Sequence, residues 1–548
     1  MKLSRHALSD PAQRHDWTSA GVSLPSYDVA AMSERTVKNP TWLHFGAGNI
    51  FRSYIARLNH SLLDRGLADS GIIAAETFDY EIIDRIYDPF DNLALSVGMA
   101  ADGSLELDMV ASVAEAIRAD KNTKRLAEIF RSPSLQMASF TITEKGYALT
   151  DMNGEATAEA RGDMASPPES AKGVMALVAR LLWERFRSGG ASVAMVSMDN
   201  CSRNGEKLRG AVFDIADAWR KSGFVGDDFI SWLTDENRVS FPWSMIDKIT
   251  PRPSKAVYDA LTGRSIEGMD TLVTSRGTYI APFANAEIPQ YLVIEDRFPA
   301  GRPKLEEAGV YFTDRETVNR TETMKVCTCL NPLHTALAIY GCLLGYDSIA
   351  AEMGDPILKG LVERIGYKEG LPVVVDPGIF SPRDFLREVL EERLPNPYIP
   401  DTPQRIATDT SRKIPIRYGE TIKAYMARPD LNTAALTAIS LVIAAWFRYL
   451  LGVDDGLLPM KISDDPLLPD LQKGLAGIDP GSPGSYRNQL KPFLSNAGLF
   501  AVDLFEAGLG EKIENLFLKM LAGKGAVRRT LADTLWCIMN TSPIEQGR

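Results

Sequence analysis

Lys325, Asn331 and His334 lie within ten residues of one another, in the stretch Lys325-Val-Cys-Thr-Cys-Leu-Asn331-Pro-Leu-His334. Together they supply an amine that can carry a proton, an uncharged amide and an imidazole. Such a set can take a proton from an alcohol and steady the oxygen left behind. A free lysine has a pKa of about 10.4, so a base at neutral pH needs burial or a neighbouring positive charge to bring it down. On a helix, residues three and four apart share a face, which makes Asn331 and His334 neighbours. Pro332 is tolerated in a first helical turn and Asn331 is a good cap. The helix is therefore expected to begin at about Asn331, with Lys325 on the loop before it. The same residues also read as a surface lysine, a capping asparagine and a core histidine, so their surroundings decide.

A second set of residues suits a dinucleotide. Residues 41–45 read as a short buried strand ending at Gly46-Ala-Gly48, and residues 49–66 place Ile50, Tyr54, Leu58 and Leu62 at helical spacing. The next strand, residues 71–75, ends in Glu76. Strand, glycine turn, helix, strand and acid, in that order, open a dinucleotide-binding unit. Glu76 stands where an acid accepts hydrogen bonds from an adenosine ribose and repels the extra phosphate of NADP. Phe51 occupies the place of a third glycine. Arg52, in the first helical turn, is a candidate for the dinucleotide phosphates, the alternative being a surface arginine.

Strand-like runs continue at residues 135–143, 191–198 and 271–274, with a helical stretch at 172–187, as a parallel sheet with covering helices requires. Residues 151–170, polar and with a proline pair, read as a surface loop, and residues 1–40 as an irregular lead-in. From about residue 321 helical runs dominate, at 333–344, 382–394, 433–451, 512–519 and 526–539. The expected chain is α/β: a Rossmann-type domain over residues 41–310, then a mostly α-helical domain over 311–548, with 298–319 bridging them.

Bulk properties narrow the function. A chain of 548 residues exceeds one ordinary core. Its 45% apolar and 24% charged residues are those of a soluble globular protein. A net charge of −11 argues against a general nucleic-acid binder, though not against an anionic substrate held by local cations. The N-terminus shows no secretory signal. Residues 431–451 are apolar but interrupted by Asn432, Thr433, Thr437, Ser440 and Arg448, which favours a buried helix over a membrane span. Five cysteines and five histidines, with no Cys-x2-Cys pair, suggest no zinc site. Reduced thiols in the cytoplasm are expected.

Five segments recur in order: Gly46-Ala-Gly48-Asn49-Ile50-Phe51-Arg52, Thr143-Glu144-Lys-Gly146-Tyr147, Asp199-Asn200, Phe241-Pro-Trp-Ser-Met-Ile-Asp247-Lys-Ile-Thr-Pro251, and Lys325-x5-Asn331-x2-His334. With them the chain resembles the polyol-specific long-chain dehydrogenases over roughly residues 42–451. The resemblance implies a Rossmann domain followed by a helical one, an active site between them, and metal-independent hydride transfer with NAD. It places Gly46, Gly48, Asn49, Ile50, Phe51, Arg52, Glu76 and Glu144 at the cofactor. Lys325 would be the general base in alcohol oxidation and the general acid in ketone reduction. Asn200 and Asn331 would stabilise the charge on the reacting oxygen, although Asp199-Asn200 is also good turn chemistry. His334 would hold substrate or position the lysine, and Glu322 would lie beside the proton route to solvent.

The run from Arg405 to Pro415 matches a family segment whose cations contact substrate. It offers Arg405 and Lys413, with Arg412 beside them, and arginine suits a planar carboxylate. Asp247 would accept hydrogen bonds from substrate hydroxyls, or cap the segment that follows. Trp243, Pro332 and extra length around 100–170 and at the C-terminus depart from the family pattern.

The expected function is that of an NAD-dependent oxidoreductase acting on a secondary alcohol of a linear polyol or sugar acid. The cations Arg405, Arg412 and Lys413 favour the D-mannonate/D-fructuronate pair over mannitol/fructose. A different class of reading is a non-catalytic NAD(H)-binding redox sensor, against which the intact Lys325, Asn200 and Asn331 argue. A methyltransferase using the same glycine turn is discouraged by the lysine cluster. The expected partner is a small molecule, with neither nucleic acid nor membrane, and the protein a monomer or small homo-oligomer.

Overall fold

Strand β1 (Trp42–Phe45) is buried at every position, the signature of a strand covered on both faces inside a parallel sheet. The computed structural model describes residues 1–541 apart from Met152, and the chain divides into two compact units, Met1–Asn319 and Arg320–Arg548. In the first unit β1 is joined by β2 (Ile72–Glu76), β3 (Val113–Arg118), β4 (Met137–Phe140), β5 (Val193–Ser197) and β6 (Val239–Ser240). They form one parallel sheet in the order β3-β2-β1-β4-β5-β6. The chain steps outward from β1 to β3, then returns to the other side of β1 with β4. That reversal opens a crevice at the C-terminal ends of β1 and β4, where such sheets bind ligands.

Alternation along β1 feeds two cores. Leu43 and Phe45 pack with the helix Val174–Arg187, while Trp42 packs on the other face with Tyr54, Leu58 and Leu62.

Several elements differ from the sequence reading. Residues 1–40 are not an irregular lead-in. They hold the helices Arg5–Ser9, Pro11–Ser19 and Val29–Lys38, capped by the side chains of Ser4, Asp10 and Asp28. Val22–Ser23 then joins a second sheet with Leu105–Val110, Ala94–Met99 and Phe283–Glu287. The first two helices are short and mostly polar, so caps define them where apolar periodicity does not, while the third buries Val29, Met32, Ser33 and Thr36 at helical spacing. Leu272–Val273 pairs antiparallel with Tyr279–Ile280 and stays out of the parallel sheet, whose third member β3 the pattern did not reveal. The expected loop 151–170 contains the helix Ala158–Met164, capped by Thr157.

The second unit is helical. The apolar run near 431–451 becomes the buried 13-residue helix Thr437–Tyr449. The helical stretch Arg315–Leu344 is long and apolar enough to cross a membrane, but its apolar window is 72% buried, as in a core helix.

Candidate active site

In the first unit, Gly46, Glu76, Glu144 and Asn200 all sit at or just beyond the C-terminal ends of β1, β2, β4 and β5, along one edge of the sheet. Gly46 has φ +99°, and a Cβ there would lie 2.2 Å from the Thr141 carbonyl oxygen, so only glycine fits. A Cβ on Gly48 would meet nothing within 4 Å, which leaves open space in front of the turn. Behind it Asn49 and Ile50 begin a helix whose first full turn, Phe51–Ile55, is a wide π-turn, a feature frequent at functional sites. Phe51 fills the place of a third glycine by burying its ring against His44, with centroids 4.3 Å apart.

Two charged residues expected to face the cofactor are instead engaged with the turn itself. Arg52 is buried, donating from Nη1 to the Ala281 carbonyl at 2.6 Å and from Nη2 to Asn49 Oδ1 at 2.7 Å. Glu76 is buried with both carboxylate oxygens occupied. Oε2 accepts from the Ala47 amide at 2.9 Å, and Oε1 from the amides of Thr77, Phe78 and Asp79 at 3.0, 2.9 and 3.2 Å. The Tyr87 hydroxyl donates to the Ala47 carbonyl at 3.0 Å, so the glycine turn is held from two directions.

Glu144 is exposed and pairs with Lys207. The strained segment around it, with Thr143 at φ +65°, is pinned by Asp199, whose carboxylate accepts from the amides of Ile142 and Thr143 at 2.9 Å each and from the Tyr147 hydroxyl. Burial raises the Asp199 carboxyl above its ordinary pKa, against the pull of these donors. Asn200 follows on an exposed bend. Asp247 ends the buried strand Ser244–Asp247, and Trp243 ahead of it lies near two guanidiniums, with Arg315 at 5.3 Å and Arg203 at 5.9 Å from its ring.

In the second unit Lys325 is only 3% exposed and opens the π-helical segment Lys325–Cys329. It therefore lies on a helix, not on the expected loop. The Leu330 amide reaches back five residues to the Lys325 carbonyl at 3.1 Å. Leu330 breaks the spiral at φ −127°, ψ −62°, and a helix resumes over Asn331–Leu344 with Pro332 in its first turn, as expected. Asn331 is the first residue of that helix and not its cap; the cap position falls on Leu330, whose side chain makes no capping bond. Glu322 sits about one turn before Lys325 and is half-buried.

His334 Nε2 lies 3.3 Å from Asp401 Oδ2, close enough for an ion pair but without the alignment of a good hydrogen bond. Burial lowers the imidazole below its ordinary pKa, opposed by Asp401. Asp401 also pairs with Arg405, whose side chain is 61% exposed. Lys413 Nζ donates to the carbonyls of Ile406, at 3.0 Å, and of Thr408. Burial first, and the Arg417 charge second, push the Lys413 amine down to about 8. Arg412 is exposed. The segment Pro415–Gly419 packs on Lys325–Cys329, and its Tyr418 hydroxyl donates to the Pro332 carbonyl at 2.7 Å.

Asp401 and Arg417 were missed in the sequence. Arg417 stands one helical turn past Lys413, a spacing that could have revealed it. Cys327 and Cys329, inside the lysine segment, are pushed up to about 11 and about 12 by burial, which disfavours their thiolate forms.

Comparison with known proteins places this geometry. Residues 40–307 match the mannitol dehydrogenase Rossmann domain and residues 317–520 the mannitol dehydrogenase C-terminal domain. A D-mannonate oxidoreductase of Thermotoga maritima is 54% identical over 540 residues, covering 98% of this chain and 99% of that protein. A substrate-free D-sorbitol dehydrogenase has a similar fold, with a TM-score of 0.77 at 23% identity over 97% of this chain and all of that one. The mannitol 2-dehydrogenase of Pseudomonas fluorescens, solved with NAD and D-mannitol, gives a TM-score of 0.68 at 24% identity over 99% of this chain and all of that one.

Proposed function

The chain belongs to the mannitol dehydrogenase family, and from that premise we propose that it is a cytoplasmic NAD-dependent oxidoreductase interconverting a secondary alcohol of a linear sugar acid with the ketone, the pair being D-mannonate and D-fructuronate. The observation that carries this reading is the burial of Lys325 one helical break ahead of Asn331 and His334, beside a cationic run. The sugar-acid pair is supported by the name of the Thermotoga maritima relative.

The sheet edge suits a dinucleotide. Gly46 makes the turn, Gly48 leaves space beside it, and the helix that begins at Asn49 and Ile50 aims its N-terminus toward that space. Phe51, Arg52 and Glu76 hold the turn in shape. When bound, NAD supplies the acceptor or donor of the hydride. Lys325 takes the hydroxyl proton as the alcohol is oxidised and returns it on reduction. Asn200 and Asn331 donate to the reacting oxygen, a contribution of about 3 kcal/mol to the barrier for one such donor. His334, braced by Asp401, orients the substrate, and Glu322 passes the proton toward solvent. Glu144, Asp247, Arg405 and Lys413 complete the contacts with cofactor and substrate.

A panel of hexonates, hexuronates, polyols and ketoses followed by NADH absorbance tests the function, D-mannonate oxidation and D-fructuronate reduction being expected. Lys325→Ala should lower turnover by at least about a thousandfold while leaving NADH affinity nearly unchanged. Undiminished turnover in that variant would remove the proton-transfer role.

A further inference from the structure

Buried charge normally comes with a partner, and Arg417 is an exception. Its guanidinium is half-buried, and among the described residues its hydrogen bond runs from Nη1 to the Thr335 hydroxyl, on the residue after His334. Among the described residues no carboxylate lies within ion-pair distance of it. A guanidinium has five N–H donors and stays ionised. Leaving most of them unmatched in a partly desolvated place is unfavourable unless something else completes them.

The neighbours make the imbalance larger. Lys413, close enough for its amine to feel the Arg417 charge, donates only to backbone carbonyls. His334 feels the same charge. Three carboxylates lie in this neighbourhood: Asp401 is shared between His334 and Arg405, Asp465 accepts from the Ser411 amide and hydroxyl, and Asp409 and Asp465 only partly offset the depression at Lys413. The segment carrying Arg417 packs on the one that carries Lys325.

We propose that Arg417 is the carboxylate anchor of the substrate site: it takes the C1 carboxylate of a linear hexonate as the counter-ion the protein does not provide, with Lys413 as its second cation. This rests on the oxidoreductase reading above and adds to it the residue that separates sugar acids from neutral polyols. Paired N–H donors on a flat guanidinium match a carboxylate and not a terminal CH2OH.

The test is steady-state kinetics on the full-length protein with NAD, using D-mannonate and D-mannitol, the latter as substrate or as competitive inhibitor. It compares wild type with Arg417→Met and Arg417→Lys. Arg417→Met is expected to raise the KM for D-mannonate roughly thirty- to a hundredfold, the size of a lost charge-assisted contact, and the constant for D-mannitol only a few-fold. Arg417→Lys should recover at least part of the loss, which separates binding from folding damage. Equal losses for both ligands with no rescue by lysine, or an unchanged KM for D-mannonate, overturns the assignment. Wild type that oxidises D-mannitol but not D-mannonate overturns it too and leaves the oxidoreductase reading standing. Turnover of neither sinks both.

Discussion

Glu76 is buried and Arg417 half-buried, and the protein treats the two charges oppositely. Four backbone amides converge on the Glu76 carboxylate, from the glycine turn on one side and the end of β2 on the other. Arg417 has a single hydroxyl and cationic neighbours. The first charge is fully matched inside the fold, so its work is structural. The second, only half-buried, is left to be matched from outside, which is how a binding group differs from a scaffold group.

The two turn glycines extend the contrast and carry its largest effect. Gly46→Ala places a methyl against the Thr141 carbonyl in a left-handed conformation, and should cost about 3–5 kcal/mol or prevent folding. Gly48→Ala meets no protein atom, so it should melt with the wild type yet bind NADH at least tenfold more weakly. Thermal melts with an NADH titration read both. A Gly48→Ala protein with native NADH affinity would mean that the open space in front of the turn is not the cofactor's.

Next in size is Glu76→Ala. It strands amides that the carboxylate now satisfies, and should lose about 2–3 kcal/mol of stability, several degrees of melting temperature. Because Ala47 loses its tether, NADH and NADPH affinity should fall together. The same truncation at Arg417, to Met, should leave the melting temperature unchanged or slightly higher, since it removes a charge without stranding a partner. A Glu76→Ala protein as stable as wild type that gains NADPH binding would restore Glu76 as the ribose acid and erase the contrast.

The sequence made one side of this comparison legible and hid the other. A short buried apolar run, a glycine turn and an acid at a strand end are local signals, and they located β1, β2 and the turn correctly. What occupies the Glu76 carboxylate is a matter of backbone amides across 29 residues, which no side-chain pattern encodes. The same limit explains the first 40 residues, whose short polar helices depend on caps and on pairing between Val22–Ser23 and Leu105–Val110. In the helical unit, the sequence pattern located the helices and the helix start at Asn331 with Pro332 in its first turn. It could not show that the chain before Asn331 stays helical through a π-turn, which is what buries Lys325. Arg417 was overlooked because a cation in a cationic run looks like solvated surface until its burial and missing counter-ion are seen.

The smallest effect concerns Lys413 and separates binding from folding by the sign of its pH dependence. Burial and the nearby Arg417 hold its amine at about 8, below the 10.5 of a free lysine. If the ammonium helps to hold a carboxylate, affinity for D-mannonate is full below that value and declines as pH rises through it, so the KM should climb several-fold between pH 7.5 and about 9. Stability moves the other way. Between about 8 and 10.5 the unfolded chain binds a proton that the native protein has released, so the destabilising charge is relieved and the fold gains as pH rises. Arg417→Met removes one cause of the depression, and should move the midpoint of the KM profile upward. A KM that stays flat across this range in wild type, with D-mannitol as the neutral control, would confine Lys413 to its carbonyl contacts and leave Arg417 to hold the carboxylate alone.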